Sequence, residues 1–183
     1  DTKGSAIYID SYSEGVLIEG STFEGGQSID AFAICAVNDK LTISGSTFTN
    51  CATSSQGSVI STSASIFNFQ LSSVIFESET NIKCRAISLA NDAKAIFSDD
   101  TFLNCYAQGN GGVLSFGTSS IELDFVSCRF VQNSATGNGG AIFLSTSLPV
   151  RFSNCLFDGN EAAEGPGIYA ETTSNLTIEY SQI

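Results

Sequence analysis

The side chains with the widest chemical reach in this 183-residue chain are 6 cysteines and 19 carboxylates, and their surroundings limit what they can do. Cys35, Cys51, Cys84, Cys105, Cys128 and Cys155 stand far apart, with no Cys-x-x-Cys pair of the kind that opens a zinc site. Histidine is absent, so the usual base for activating a thiol and the commonest metal ligand are both missing. Thiol catalysis is therefore not expected. The cysteines read as structural, either as disulfides or as a ladder of small buried thiols. Among the carboxylates, Asp99 and Asp100 are adjacent and should point to opposite sides, one of them partly inward, where it could satisfy turn amides. Glu77 and Glu79 fall in a turn, as do Glu161 and Glu164; they read as solvated, with loose Ca²⁺ binding as the lesser reading. Arg129 and Arg151 lie near Asp124 and Asp158, and surface ion pairs of small worth are expected. This set leads to no catalytic residue, no metal site and no cofactor.

Charge narrows the partners. Against the 19 acidic residues stand only 7 basic ones, a net charge of −12, with no basic block. Such a surface repels nucleic acid and anionic membranes. No apolar run approaches the roughly 18 residues of a membrane span, so membrane insertion is not expected. The chain lacks methionine altogether, which implies a processed chain or a piece of a longer one. An even cysteine count in an acidic chain rich in Ser, Thr and Gly points to an extracellular or cell-surface setting. Asn175-Leu176-Thr177 is a sequon, which makes Asn175 a candidate glycosylation site in a secreting eukaryote.

What positions these residues is an internal repeat. Phe23, Phe48, Phe76, Phe102, Phe130 and Phe157 recur at intervals of 25, 28, 26, 28 and 27, and Ile183 follows 26 later. Ile7, Ile34, Ile60, Ile87, Leu114, Ile142 and Ile168 form a second series at 27, 26, 27, 27, 28 and 26. Two further apolar columns lie five and seven residues before each Phe, such as Phe125 and Leu123 before Phe130. Apolar residues alternate locally, which is the strand period, and recur once per repeat. Gly and Asn gather between each Phe and the next Ile, as in 108–112 and 136–140, where tight turns are needed.

A repeat of 25–28 residues cannot bury its own apolar face, so neighbours must stack on it. The expected fold is all-β, a right-handed single-stranded parallel β-helix of about seven coils, forming a single domain over 1–183. Right-handedness follows from the rule for parallel crossovers. Phe would stack on Phe along the axis, at about 0.5–1.5 kcal/mol per pair beyond burial. Cys128 and Cys155 both precede a column Phe by two residues, so they would stand one coil apart and are a candidate disulfide. Cys51–Cys84 or Cys84–Cys105 is conceivable. Outward positions on the first strand are Tyr8 and Asp10, Cys35 and Val37, Ser61 and Ser63, Ser88 and Ala90, Ser115 and Gly117, Phe143 and Ser145, Tyr169 and Glu171. The two carboxylates among them fall at opposite ends of the rod, so no pair flanks one bond and the chain is not expected to be an enzyme.

The repeats resemble the polymorphic outer-membrane-protein family, marked by Phe-x-x-Asn and Gly-Gly-Ala-(Ile/Leu/Val). Phe130 to Asn133 and Phe157 to Asn160 match the first motif, and Gly139-Gly140-Ala141-Ile142 the second. Gly111-Gly112-Val113-Leu114 is a near match and Gly4-Ser5-Ala6-Ile7 a looser one, while Asn50 and Asn104 come one residue early. The resemblance implies a β-helical surface adhesin, exported in chlamydiae as an autotransporter passenger. The motifs themselves read physically: Gly for close approach of coils, Asn for a side-chain ladder or for satisfying turn backbone groups.

Only six residues precede Ile7 and none follow Ile183, so neither end is expected to carry a cap, and an uncapped coil exposes strand edges and core. The expectation is a structural rod, a filament subunit or segment whose partner is itself, stacked head to tail. An adhesin segment that meets a host or cell-surface glycan or protein, and a carbohydrate-binding or polysaccharide-cleaving β-helix, are the alternatives.

Overall fold

The alternation read from the sequence is the alternation of burial: in Glu122–Val126 and Pro149–Ser153 the second and fourth side chains are buried and their neighbours face outward. A computed structural model describes residues 6–9, 15–25, 27–28, 31–36, 39–53, 57–62, 67–79, 84–89, 93–116, 122–171 and 175–183. Its strands form three long parallel sheets, and each strand's neighbours in a sheet are the equivalent strands one coil before and after. The first sheet has seven strands, Ile7–Ile9, Ala31–Ala36, Ser58–Thr62, Arg85–Ser88, Leu114–Phe116, Ile142–Leu144 and Ile168–Ala170. The second also has seven, Val16–Glu19, Asp39–Ser44, Phe67–Ser72, Ala93–Ser98, Glu122–Val126, Pro149–Ser153 and Asn175–Glu179. The third has six, Thr22–Glu24, Thr47–Thr49, Ile75–Glu77, Thr101–Leu103, Arg129–Val131 and Leu156–Asp158. The seventh coil reaches this sheet through a bridge from Leu156 to Gln182.

Register puts like on like. Ile7, Ile34, Ile60, Ile87, Leu114, Ile142 and Ile168 are successive cross-strand partners. So are Phe23, Phe48, Phe76, Phe102, Phe130 and Phe157, whose rings stack at centroid spacings of 4.7, 4.8, 5.2, 5.2 and 4.5 Å with 5–13° between planes. A second stack, Phe97, Phe125 and Phe152, stands beside it and meets it edge to face, as at Phe125 and Phe130. These columns form one continuous core.

Two corners per coil depend on single residues in the left-handed region. One is three residues before the column Phe: Gly20, Gly45, Ser73, Asp99, Ser127, Asn154 and, before Ile183, Tyr180, with φ of 51–57°. The other is two after it: Gly25, Asn50, Asn104, Gln132 and Gly159. Gly and Asn enter this region readily, whereas other L residues are strained there by about 1–2 kcal/mol. The N–H that follows each corner turns away from the ladder and needs another partner. At the first corner a side chain from the next coil supplies it: Ser21 N–H donates to Ser46 Oγ (3.1 Å), Val74 N–H to Asp100 Oδ1 (2.8 Å) and Cys155 N–H to Ser181 Oγ (3.0 Å). At the second, Cys105 N–H donates to Asn133 Oδ1 and Asn133 N–H to Asn160 Oδ1, both at 2.9 Å. The same amides donate back, Asn133 to the Phe102 carbonyl and Asn160 to that of Phe130. The early Asn50 and Asn104 are therefore the corner residues themselves, and the later Asn133 and Asn160 are caps.

The third turn, between the third and first sheets, is where coils approach most closely. A Cβ on Gly140 would collide with the carbonyl oxygens of Pro166 and Glu161, and one on Gly112 with that of Gly140. In the fourth coil Arg85 secures this turn from below, donating from Nε to the Gly111 carbonyl (3.2 Å) and from Nη2 to that of Asn110 (3.0 Å). Gly4 and Ser5 of the loosest motif match lie outside the described residues.

Three substitutions test these devices. Gly140→Ala should destabilise by about 3 kcal/mol or more, because backbone must move. Gly20→Ala, which meets nothing within 4 Å, should lose only about 1–2 kcal/mol to its φ. Asn133→Ala should lose about 1–3 kcal/mol by stranding the Cys105 N–H and the Phe102 carbonyl. Urea unfolding of the three variants gives the order.

Candidate functional site

All six cysteines are buried thiols. The disulfide expected between Cys128 and Cys155 is not formed; the two side chains are hydrogen-bonded to each other instead. Register explains this. Side chains at equivalent positions of parallel strands project side by side at the coil spacing, about 4.8 Å, whereas a disulfide needs converging Cβ atoms about 3.8 Å apart. Each thiol is also directed at a carbonyl of its own coil, Cys128 at Val126 and Cys155 at Ser153, both at 3.5 Å. Cys51, Cys84 and Cys105 form a second group and are likewise thiols. Burial, reinforced by Cys84, pushes the Cys51 thiol up to about 12, and burial pushes Cys105 well above its ordinary value. The hydrogen bond with Cys155, then burial, raises Cys128. Cys51, Cys105 and Cys128 are therefore protonated at neutral pH, neither nucleophiles nor ready metal ligands. Among the described residues no group of His, Cys, Asp and Glu has the arrangement to hold a metal ion.

The outward face of the first sheet is partly as expected. Tyr8 is exposed and Ser61, Ser88 and Ser115 are half-buried, but Cys35 and Phe143 are each only 8% exposed. Phe143 stacks on Tyr169 at 5.5 Å with planes 3° apart, and beside it the Ser145 hydroxyl donates to Glu171. Asp10, Val37, Ser63, Ala90 and Gly117 lie outside the described residues.

On the second sheet a shallow groove of about 280 Å³ is lined by Lys94, Glu122, Leu123, Asp124, Pro149 and Arg151. The ion pairs differ from those expected. Arg151 pairs with Glu179 at 2.9 Å and Lys94 with Glu122 at 3.7 Å, both in solvent, while Asp124 Oδ1 is buried without a hydrogen-bond partner. The strand pairing sets this, because Arg151 lies between Asp124 and Thr177 in the ladder and Glu179 is two residues beyond. Asn175 opens the last strand of the same sheet, exposed, as is Thr177 of its sequon. At the second corner a wider recess of about 550 Å³ is acidic, with Glu24, Glu77 and Glu79 among its walls. Glu79 is engaged there with Asn50, whose amide donates to Oε1 at 3.2 Å. Glu161 and Glu164 are exposed, as read from the turn.

Asp99 and Asp100 do part company. Asp99 is the exposed corner residue, with φ 57°, and Asp100 turns fully inward. Burial pushes the Asp100 carboxyl up to about 7, against the opposing effect of the Val74 and Ser98 N–H groups. Its Oδ2 has no hydrogen-bond partner.

The remaining distinctive surface is axial. Val150, Phe152 and Phe157 of the sixth coil are no more than 5% exposed. Their equivalents in the seventh coil are Leu176, half-buried, Ile178, 40% exposed, and Ile183, 63% exposed. In the first coil Ile7, Val16 and Phe23 are only partly covered. Sequence columns pointed to both sets. The capping role read from the sequence for the Asn three after Phe and for one of Asp99 and Asp100 is the role Asn133, Asn160 and Asp100 have, while that of Ser46 and Ser181 was not read.

No curated protein and no solved structure matches the chain. A family model described as the right-handed beta helix region matches residues 86–183, from the fourth coil to the seventh. With three parallel sheets wound from one strand each per coil, this chain belongs to the right-handed β-helix family.

Proposed function

We propose that this β-helix is an extracellular or cell-surface structural rod, not an enzyme, that extends along its axis by receiving a further coil on each terminal face. The observation that carries the reading is the pair of half-covered apolar ends. A coil laid on the seventh would continue every column, with an aliphatic or aromatic side chain over Ile168, Leu176, Ile178 and Ile183. The first coil has those types in those places, Ile7, Val16, Ile18 and Phe23, so a second copy fits in register. A contact of this kind is head to tail and does not close, so it produces filaments. A continuation of the same polypeptide would satisfy the same faces, and the rod would then be an adhesin segment of a larger surface protein, as the likeness to polymorphic outer-membrane-protein repeats suggests.

The second reading is a carbohydrate-binding face. The groove on the second sheet favours it, since Lys94, Arg151, Glu122 and Asp124 present donors and acceptors side by side over three strands.

Sedimentation velocity across a wide concentration range tests the axial reading. The chain should form extended oligomers that grow with concentration, visible as fibres by electron microscopy, and Ile183→Asp should reduce them. A stable monomer at high concentration would sink it, and retention on immobilised polysaccharide would turn attention to the groove.

A further inference from the structure

The polar side chains in the column at the first corner share a pattern. Ser46, Asp100 and Ser181 accept an N–H from the coil below, and the serines and cysteines give their own hydrogen to the carbonyl two residues earlier in the chain, while Val74 in the same column does neither. Ser21 donates to Glu19 O at 3.0 Å, Ser46 to Ser44 O and Ser181 to Glu179 O at 2.9 Å, and Cys128 and Cys155 to Val126 O and Ser153 O at 3.5 Å. Asp100 occupies this column, 0% exposed, and its Oδ1 already accepts from Val74. Its Oδ2 is the atom without a partner, and an ionised carboxylate has no hydrogen to give.

We propose that Asp100 is carried in the folded rod as the neutral acid, its Oδ2 hydrogen donated to the Ser98 carbonyl, and that its ionisation slackens the joint between the third, fourth and fifth coils. The Ser98 carbonyl is the counterpart of those used by Ser46, Cys155 and Ser181. Each of them accepts one ladder N–H and one side-chain hydrogen, and Ser98 O already has the ladder N–H of Ser73. A neutral acid thus completes the pattern, whereas a carboxylate would lie in an apolar column with one oxygen unpaired.

The Val74 and Ser98 N–H groups favour a charge here, but burial outweighs them, and the charged neighbours give no help. On its own turn the neighbour is Asp99, like-charged and exposed. The coil below presents Ser73, Val74 and Ile75, none titratable. The coil above presents the Cys128 thiol, whose own ionisation Asp100 opposes, and Arg129, which faces solvent and contributes its backbone N–H to the Asp100 carbonyl. The carboxyl holds its proton to about 7 in the fold but releases it near its ordinary value of 3.8 once unfolded. The folded state therefore binds more protons between these values. Stability from this group is complete below the unfolded value and is lost as pH rises through the folded one.

Asn imitates the neutral acid, with an oxygen for the Val74 N–H and an amide hydrogen for Ser98 O. Asp100→Asn should match the parent chain in stability at pH 4–5 and exceed it at pH 8. The ratio of their folding constants should grow by about a hundredfold to a few hundredfold over that interval. Asp100→Ser, the residue the column uses at 46 and 181, should show the same flattened pH profile even if its absolute stability differs. An infrared band of a buried protonated carboxyl should persist at pH 6 in the parent and vanish in both variants. Parallel pH profiles for parent and Asp100→Asn, or no such band, would overturn the proposal.

Discussion

Among the described residues every coil turns through a left-handed residue before the third sheet, five turn through a second one after it, and such a turn sends a backbone N–H into the interior. That N–H cannot be left unpaired at a cost of about 1–3 kcal/mol in coil after coil, so the rod depends on side chains that reach down one coil to receive it. Ser, Asp, Cys and Asn do this because they are short and carry an acceptor close to the backbone. The same requirement ties neighbouring coils together beyond the sheet ladders, since each cap belongs to one coil and each capped group to the one below. The aromatic stacks fill the space between these polar columns, and the spacing of their rings is set by the strand separation more than by any preference of the rings themselves.

This arrangement also explains why Cys51, Cys105 and Cys128 are quiet. A thiol in such a place is useful as a small side chain with a weak hydrogen to donate, and burial helps to keep that hydrogen on sulfur there, whereas the hydrogen bond with Cys128 pulls the Cys155 thiol down to about 7. The mean lesson for function is that the rod's interior chemistry serves its own continuity. The acidic and polar side chains lie on the outward faces of the described strands.

Much of this was legible in the sequence because the core repeats in register. The Phe and Ile series predicted the partners of each strand residue by residue, and Asp99 and Asp100 were read as parting to opposite sides. Three things were not legible. The Cys128–Cys155 bridge looked reasonable from position alone, and it failed on direction, since stacked parallel side chains do not converge. The meaning of Asn50 and Asn104, one place earlier than Asn133 and Asn160, also escaped the motif, because dihedral angles decide whether an Asn makes a corner or caps one. Cys35 and Phe143 were read as outward and are outward in register, yet both are covered, which strand alternation cannot foresee.

The interval from the second-sheet strand to the column Phe has a further consequence. From Val16 to Phe23, and at every later coil to Leu176 and Ile183, it is seven residues, whereas the other two stretches of the coil vary in length. One added residue between those sheets would turn a strand inside out and misplace a cap. Insertions are admissible only in the two variable bends, so any new recognition loop acquired by this rod would emerge along those two edges, leaving the fixed edge smooth.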